Sequence, residues 1–133
     1  MRDEAHITVD RDSDIVAARK KGRDLAAGIG FAGSDLTLIA TAISEIARNI
    51  LVYAQRGEIS LSIVERSGKR GLLVIARDHG PGIADIEQAM RDGYSTGNSL
   101  GLGLPGAKRL MDDFEIVSTA AEGTTVTMRK WKL

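Results

Sequence analysis

Leu72-Leu73-Val74-Ile75-Ala76-Arg77-Asp78-His79-Gly80-Pro81-Gly82 is the stretch that says most about the fold of this chain. Its continuous apolar run, residues 72–76, is typical of a buried strand. Asp78 follows at the end of that strand, and a carboxylate beside a core needs a hydrogen-bonding partner. Gly80 and Gly82 remove side chains where another group must approach the backbone closely. We therefore predict a loop shaped around a ligand that offers a donor to Asp78; taken alone, the stretch also fits an ordinary turn.

The sequence on both sides of this strand predicts one α+β domain over residues 1–133. Ile59, Leu61 and Ile63 alternate with polar residues, which predicts an antiparallel partner strand joined by a hairpin loop over residues 66–71. The other predicted elements are a short edge strand at 6–9, helices at 14–28, 34–54 and about 104–111, and strands at 114–118 and 124–130. This order predicts a two-layer sandwich, in which helices cover one face of a mixed, mostly antiparallel sheet.

Composition excludes several classes of function. The formal net charge is zero, so the chain has no electrostatic footprint for nucleic acid or an anionic membrane. It has no cysteine, which excludes disulfides, thiolate metal sites and thiol nucleophiles. The charged start MRDEAHITVD lacks the apolar core of a signal peptide, and we expect no apolar run of membrane-spanning length. A cytoplasmic protein is the resulting expectation.

The second predicted helix carries two polar residues beside its apolar stripe. Glu45 and Asn49 are one helical turn apart, on the margin of the face that we expect to be buried. A carboxylate next to an amide suits a general base beside a ligand for a hard cation such as Mg²⁺, which prefers oxygen. The alternative is that both side chains simply face solvent. The apolar stripe itself consists of Leu36, Ile39, Ile43, Ile46 and Ile50.

A glycine-rich segment, Gly101-Leu102-Gly103-Leu104-Pro105-Gly106, formally matches G-x-G-x-x-G. A dinucleotide-binding motif should follow a strand, whereas the polar residues 94–99 precede this one, and the companion motifs of protein kinases are absent. Its small residues leave backbone N–H groups free to face an anion at the start of the next helix. We expect the long stretch 91–106 to act as a ligand-closing lid, with a plain flexible loop as the alternative.

Four short motifs in fixed order resemble the N, G1, G2 and G3 boxes of the GHKL (gyrase, Hsp90, histidine kinase, MutL) family of ATP-binding domains. The resemblance covers nearly the whole chain, and it implies that family's fold and the use of ATP and Mg²⁺. The motifs are Glu45-x-x-x-Asn49, Asp78-x-Gly80-x-Gly82, Gly101-Leu102-Gly103-Leu104 and Gly123-Thr124-Thr125.

The resemblance also implies a role for each matching residue. Asp78 accepts a hydrogen bond from the adenine amino group, and Gly80 and Gly82 let the loop pass close to the nucleotide. Asn49 holds Mg²⁺, and Glu45 is the catalytic residue that takes or orients the proton of the attacking hydroxyl. Gly101 and Gly103 cradle phosphates under the lid, and Thr124 or Thr125 supports the adenine site. Further nucleotide-binding positions are Ser95, Thr96, Gly97, Leu102 and Leu104.

Among GHKL proteins, the amino-acid sequences of these boxes are most similar to those of the small switch-protein kinases of bacterial stressosome signalling. This implies a serine/threonine-protein kinase whose partners are a STAS-domain substrate, a stressosome complex and a downstream phosphatase or other regulator. An anti-sigma factor that phosphorylates its antagonist is the first alternative. The second is a nucleotide-gated binding module with little catalysis.

Overall fold

Five strands form one sheet with the order β1-β2-β3-β5-β4, and all four strand pairings are antiparallel. The computed structural model describes residues 4–82, 90 and 103–133. Within these residues the predicted element order is confirmed, as is the two-layer α+β fold, and the sheet is antiparallel throughout rather than mixed. The elements are β1 (Glu4–Val9), α1 (Asp12–Gly28), α2 (Ser34–Tyr53), β2 (Gly57–Arg66), β3 (Lys69–Asp78), α3 (Gly103–Leu110), β4 (Asp113–Thr119) and β5 (Gly123–Trp131).

The β2–β3 hairpin is tighter than the sequence predicts. Strand pairing continues to Arg66 opposite Lys69, so the connection is the two residues Ser67 and Gly68 rather than residues 66–71. Both have positive φ, 54° and 80°, as a type I′ turn requires. The strands extend further because this turn matches their right-handed twist.

The helices pack on one face of the sheet, and the side chains that alternate along β3 set the position of the site. Leu72, Val74 and Ala76 are buried on the face that the helices cover. Asp78 continues the same period of two, so its carboxylate also lies on that face. The sheet contributes Ile59, Leu61, Val126 and Met128 to the same core, and α2 contributes Ile39, Ile43, Ile46 and Ile50.

Helix α2 corrects one expectation. By length and composition it is apolar enough to cross a membrane, with a mean hydropathy of 1.3, although we expected no such run. The structure buries 56% of that apolar window inside the protein, as in the central helix of a core. This is therefore weak evidence for a membrane segment.

Helix α1 is held at its start by an acidic side chain. The backbone N–H of Asp10 donates to Oδ2 of Asp14 at 3.0 Å. This hydrogen bond is the largest influence on the Asp14 carboxyl, and it lowers its pKa below the usual value.

Candidate functional site

Three of the predicted site residues belong to a small group of buried polar side chains. In the ranges 4–82 and 103–133, the polar or charged residues below a tenth exposed are Ser44, Glu45, Asp78 and Thr124. Ser44 is explained within its own helix, because its hydroxyl donates to the Ala40 carbonyl at 2.9 Å. The other three come from α2, β3 and β5, and each takes part in a hydrogen bond that joins two elements.

Asp78 anchors the corner where β3 ends and β5 begins. Its Oδ1 accepts hydrogen bonds from the backbone N–H of Gly80 at 2.9 Å and of Thr124 at 3.2 Å. The Thr124 hydroxyl is in turn 2.7 Å from the hydroxyl of Ser118 on β4. Oδ2 receives no hydrogen bond from the residues that the structure describes. One carboxylate oxygen thus holds the loop, and the other has no partner among the described residues.

Two glycines let the backbone close around this corner. A Cβ atom on Gly123, whose φ is +82°, would lie 2.2 Å from the Asp78 carbonyl oxygen. A Cβ on Gly80 would lie 2.5 Å from the Ala54 Cβ, just beyond the end of α2. The close approach predicted at Gly80 is therefore to the protein itself, as is that of Gly82 to the Thr119 carbonyl. Their roles toward a nucleotide stay predictions.

Glu45 is buried, so the interpretation that it faces solvent is wrong. Its side chain is 5% exposed, and Oε1 accepts a hydrogen bond at 2.9 Å from the backbone N–H of Gly103, the first residue of α3. Oε2 accepts one at 3.2 Å from Nη1 of Arg48. The carboxylate thus ties α2 to the start of α3, where the positive end of the helix dipole favours a negative charge.

Asn49 lies one turn beyond Glu45 and is half-buried. Its amide makes no hydrogen bond with the described part of the chain, so its oxygen is open to a ligand. No group of three or more His, Asp or Glu residues there could hold a metal ion. A single amide oxygen suits Mg²⁺, which usually keeps waters and binds phosphates beside one or two protein ligands. The residues therefore fit a Mg²⁺ that arrives with a phosphate-bearing molecule.

The structure separates two predicted neighbours and leaves others untested. Thr125 follows Thr124 on β5 and lies on the other face of the sheet, paired with Arg77 and Val117, so only Thr124 lies with Asp78. Leu104 packs its side chain into the core. The candidates Ser95, Thr96, Gly97, Gly101 and Leu102 lie outside the described residues.

Sequence reasoning missed two members of this site. Arg48 was not singled out, although its i, i+3 spacing from Glu45 on a predicted helix indicates that the two side chains can form an ion pair. Gly57 was not either: it lies opposite Asp78 on β2, and a Cβ there would be 2.4 Å from the Arg77 carbonyl. No sequence signal distinguishes Gly57 from an ordinary helix-ending glycine.

Comparison with known proteins agrees with this architecture. Residues 8–130 match the model of the histidine kinase-like ATPase domain. Serine/threonine-protein kinase RsbT of Bacillus subtilis (strain 168) is 50% identical over 98% of both chains. Anti-sigma F factor of Geobacillus stearothermophilus is 30% identical over 98% of this chain and 93% of its own.

A solved structure supports the fold independently. The mycobacterial sensor histidine kinase MprB superposes with a TM-score of 0.58 at 17% identity, over 96% of this chain and 97% of its own. The expected resemblance is confirmed, and the chain belongs to the histidine kinase-like ATPase (GHKL) family, in its serine/threonine-protein kinase branch.

Proposed function

We propose that this protein transfers the γ-phosphoryl group of ATP to a serine or threonine of a small STAS-domain protein, in a cytoplasmic partner-switching pathway. The observation that carries this proposal is the pair of buried carboxylates, each held by at least one backbone N–H and each with accepting capacity left over. The full-length similarity to RsbT supports the serine/threonine class of acceptor.

Each carboxylate has its own task in this mechanism. Oδ2 of Asp78 accepts a hydrogen bond from the exocyclic amino group of adenine, beside Thr124. The phosphates lie toward the start of α3, whose backbone N–H groups favour anions. Asn49 would hold Mg²⁺, which neutralises phosphate charge when it is bound.

Glu45 is placed to act on the acceptor hydroxyl. As the hydroxyl oxygen forms a bond to the γ-phosphorus, its proton passes to the Glu45 carboxylate, and the bond between that phosphorus and the bridging oxygen breaks to release ADP. A well-placed general base contributes about 10²- to 10⁴-fold in rate. The new phosphate adds about two negative charges to the partner, which can then leave the kinase by charge repulsion.

The direct test is label transfer. The protein is incubated with Mg²⁺, γ-labelled ATP and a lysate of the source organism, and the labelled protein is identified together with its modified residue. We expect acid-stable phosphoserine or phosphothreonine on a STAS-domain protein. Acid-labile phosphohistidine, or no labelled protein, would contradict the proposal. Label on a protein outside the STAS class would support the kinase activity but contradict the proposed partner-switching pathway.

An anti-sigma factor is the second candidate, because the anti-sigma F factor of Geobacillus stearothermophilus is similar over nearly the whole chain. In that case the same ATP site would control binding of a sigma factor, and the phosphorylated protein would be its antagonist. Capture of a sigma factor on immobilised protein with ATP and Mg²⁺ would favour this candidate. Capture of STAS-domain proteins alone would favour the switch kinase.

A further inference from the structure

Arg48 is a charged residue at the site to which the preceding mechanism gives no task. It lies on α2 between Glu45 and Asn49, and its Nη1 donates to Oε2 of Glu45 at 3.2 Å. The two ends of this ion pair differ in environment, because the Glu45 side chain is 5% exposed and that of Arg48 is 36% exposed. Pairs between two exposed side chains contribute little to stability, but removing the partner of a buried charge is strongly destabilising.

Arg48 lines a surface groove between α1 and α2. The groove has a volume of about 450 Å³, and its walls include Val16, Arg19 and Leu51. Arg48 thus reaches from the groove inward to the buried carboxylate. Arg19 also lines this groove, but among the described residues the ion pair of Glu45 is with Arg48 and not with Arg19.

We infer that Arg48 is the positioning residue of the phosphoryl-transfer reaction, acting through Glu45; this rests on the proposed function. A carboxylate held only at Oε1 by the Gly103 N–H turns about that single contact. The second contact, at Oε2, fixes the plane of the carboxylate and so fixes the direction of the lone pairs left to receive a proton. Proton transfer requires hydrogen-bond distance and alignment, and a misplacement of about 1 Å costs on the order of 10²-fold in rate.

The chemistry of the side chain explains why arginine suits this position. A guanidinium is always charged and presents its N–H groups in a rigid plane, whereas a lysine ammonium is a point charge on a flexible stem. Lysine at position 48 retains the attraction to Glu45 but fixes its plane less well. An uncharged side chain of similar length retains the packing in the groove and loses both contributions.

The test compares substitutions at Arg48 in the full-length protein, with the acceptor identified by label transfer. Single-turnover transfer is measured at saturating ATP and acceptor for Arg48→Met, Arg48→Lys and the matched control Arg19→Met. We expect Arg48→Met to lower the transfer rate by about 10- to 100-fold, Arg48→Lys to restore part of it, and Arg19→Met to leave it within twofold. ATP affinity, measured with a fluorescent ATP analogue, should stay within about threefold in all three.

A double-mutant cycle separates positioning from general damage to the fold. Because Arg48 acts through Glu45, Arg48→Met should cause no further loss of rate when it is added to Glu45→Gln. A wild-type transfer rate in Arg48→Met, or a further loss of rate when Arg48→Met is added to Glu45→Gln, would overturn the positioning role of Arg48. Neither result would contradict the proposed kinase activity. If Arg48→Met fails to fold, Arg48→Lys alone decides, since a wild-type rate there contradicts the need for a planar donor. Absence of phosphoryl transfer by the wild-type protein would instead contradict the proposed function, and with it the positioning role of Arg48.

Discussion

Asp78→Asn separates the structural task of Asp78 from its proposed task in binding adenine. An asparagine places its carbonyl oxygen where Oδ1 accepts from Gly80 and Thr124, and its NH₂ group where Oδ2 is open. Both hydrogen bonds at this oxygen remain, but their acceptor is no longer charged, so the free energy of unfolding falls by about 1–2 kcal/mol. Toward ATP, a donor now faces the adenine amino group, which is itself a donor. Losing a charged hydrogen bond and burying an unpaired donor sum to about 3–5 kcal/mol, or roughly 10²- to 10⁴-fold in Kd.

The assay for this prediction is titration with ATP by calorimetry, together with thermal unfolding of the same samples without nucleotide. Asp113→Asn is the matched control, because Asp113 accepts from the Trp131 indole at 3.1 Å, near the other end of β5. We expect the control to bind ATP like the wild type. Unchanged ATP affinity in Asp78→Asn would refute the adenine role. Loss of folding in that variant would refute the argument that the amide oxygen can replace Oδ1.

Three further predictions concern catalysis, the glycine turn and pH. Glu45→Gln keeps an acceptor for the start of α3, so transfer should fall about 10²- to 10⁴-fold with ATP affinity retained; unchanged transfer would contradict its role as base. Gly123→Ala should cost about 2–4 kcal/mol in urea unfolding, whereas Gly68→Ala, with a similar φ of +80° and open space around it, should cost about 1 kcal/mol; equal costs would show that contact with Asp78 is unimportant. Since the folded-state pKa of Asp14 is lowered, its contribution is present above the unfolded pKa, taken as 3.8, and is lost as pH falls through the folded pKa. The difference in Tm between wild type and Asp14→Asn should therefore shrink as the pH falls below 3.8. A difference that widens would contradict the lowered pKa of Asp14.

The fold was largely predictable because its signals are local. The period of two in β2 and the spacing of isoleucines on α2 each report one buried face, and the burial of Ile39, Ile43, Ile46 and Ile50 agrees with it. The length of the β2–β3 loop was not predictable from the glycines at 68 and 71. Both favour turns, and only strand pairing decides that Ser67 and Gly68 form the turn.

The site was predictable as a set of residues but not as a set of contacts. Glu45 and Asp78 could be chosen because polar residues beside apolar runs are conspicuous in a sequence, whereas Thr124, with Thr125 as its alternative, followed only from the family resemblance. Their partners lie 58 residues away for the Glu45–Gly103 bond and 46 for Asp78–Thr124, and no local pattern encodes such pairs. The choice between Thr124 and Thr125 required the register of β5 on β3, which fixes the face of every residue at once.

These long-range hydrogen bonds have a consequence for synthesis on the ribosome. The two carboxylates belong to the first 78 residues, but the N–H groups of Gly103 and Thr124 emerge much later. Until then β3 also has an unpaired edge, because its second neighbour, β5, is made about 45 residues later than β3. The nascent chain therefore carries two acids beside its core that have only their local partners, Arg48 and the Gly80 N–H, until α3 and β5 supply the others. Because the hydrogen bonds from Gly103 and Thr124 form late, an incomplete chain lacks the contacts that stabilise the folded enzyme.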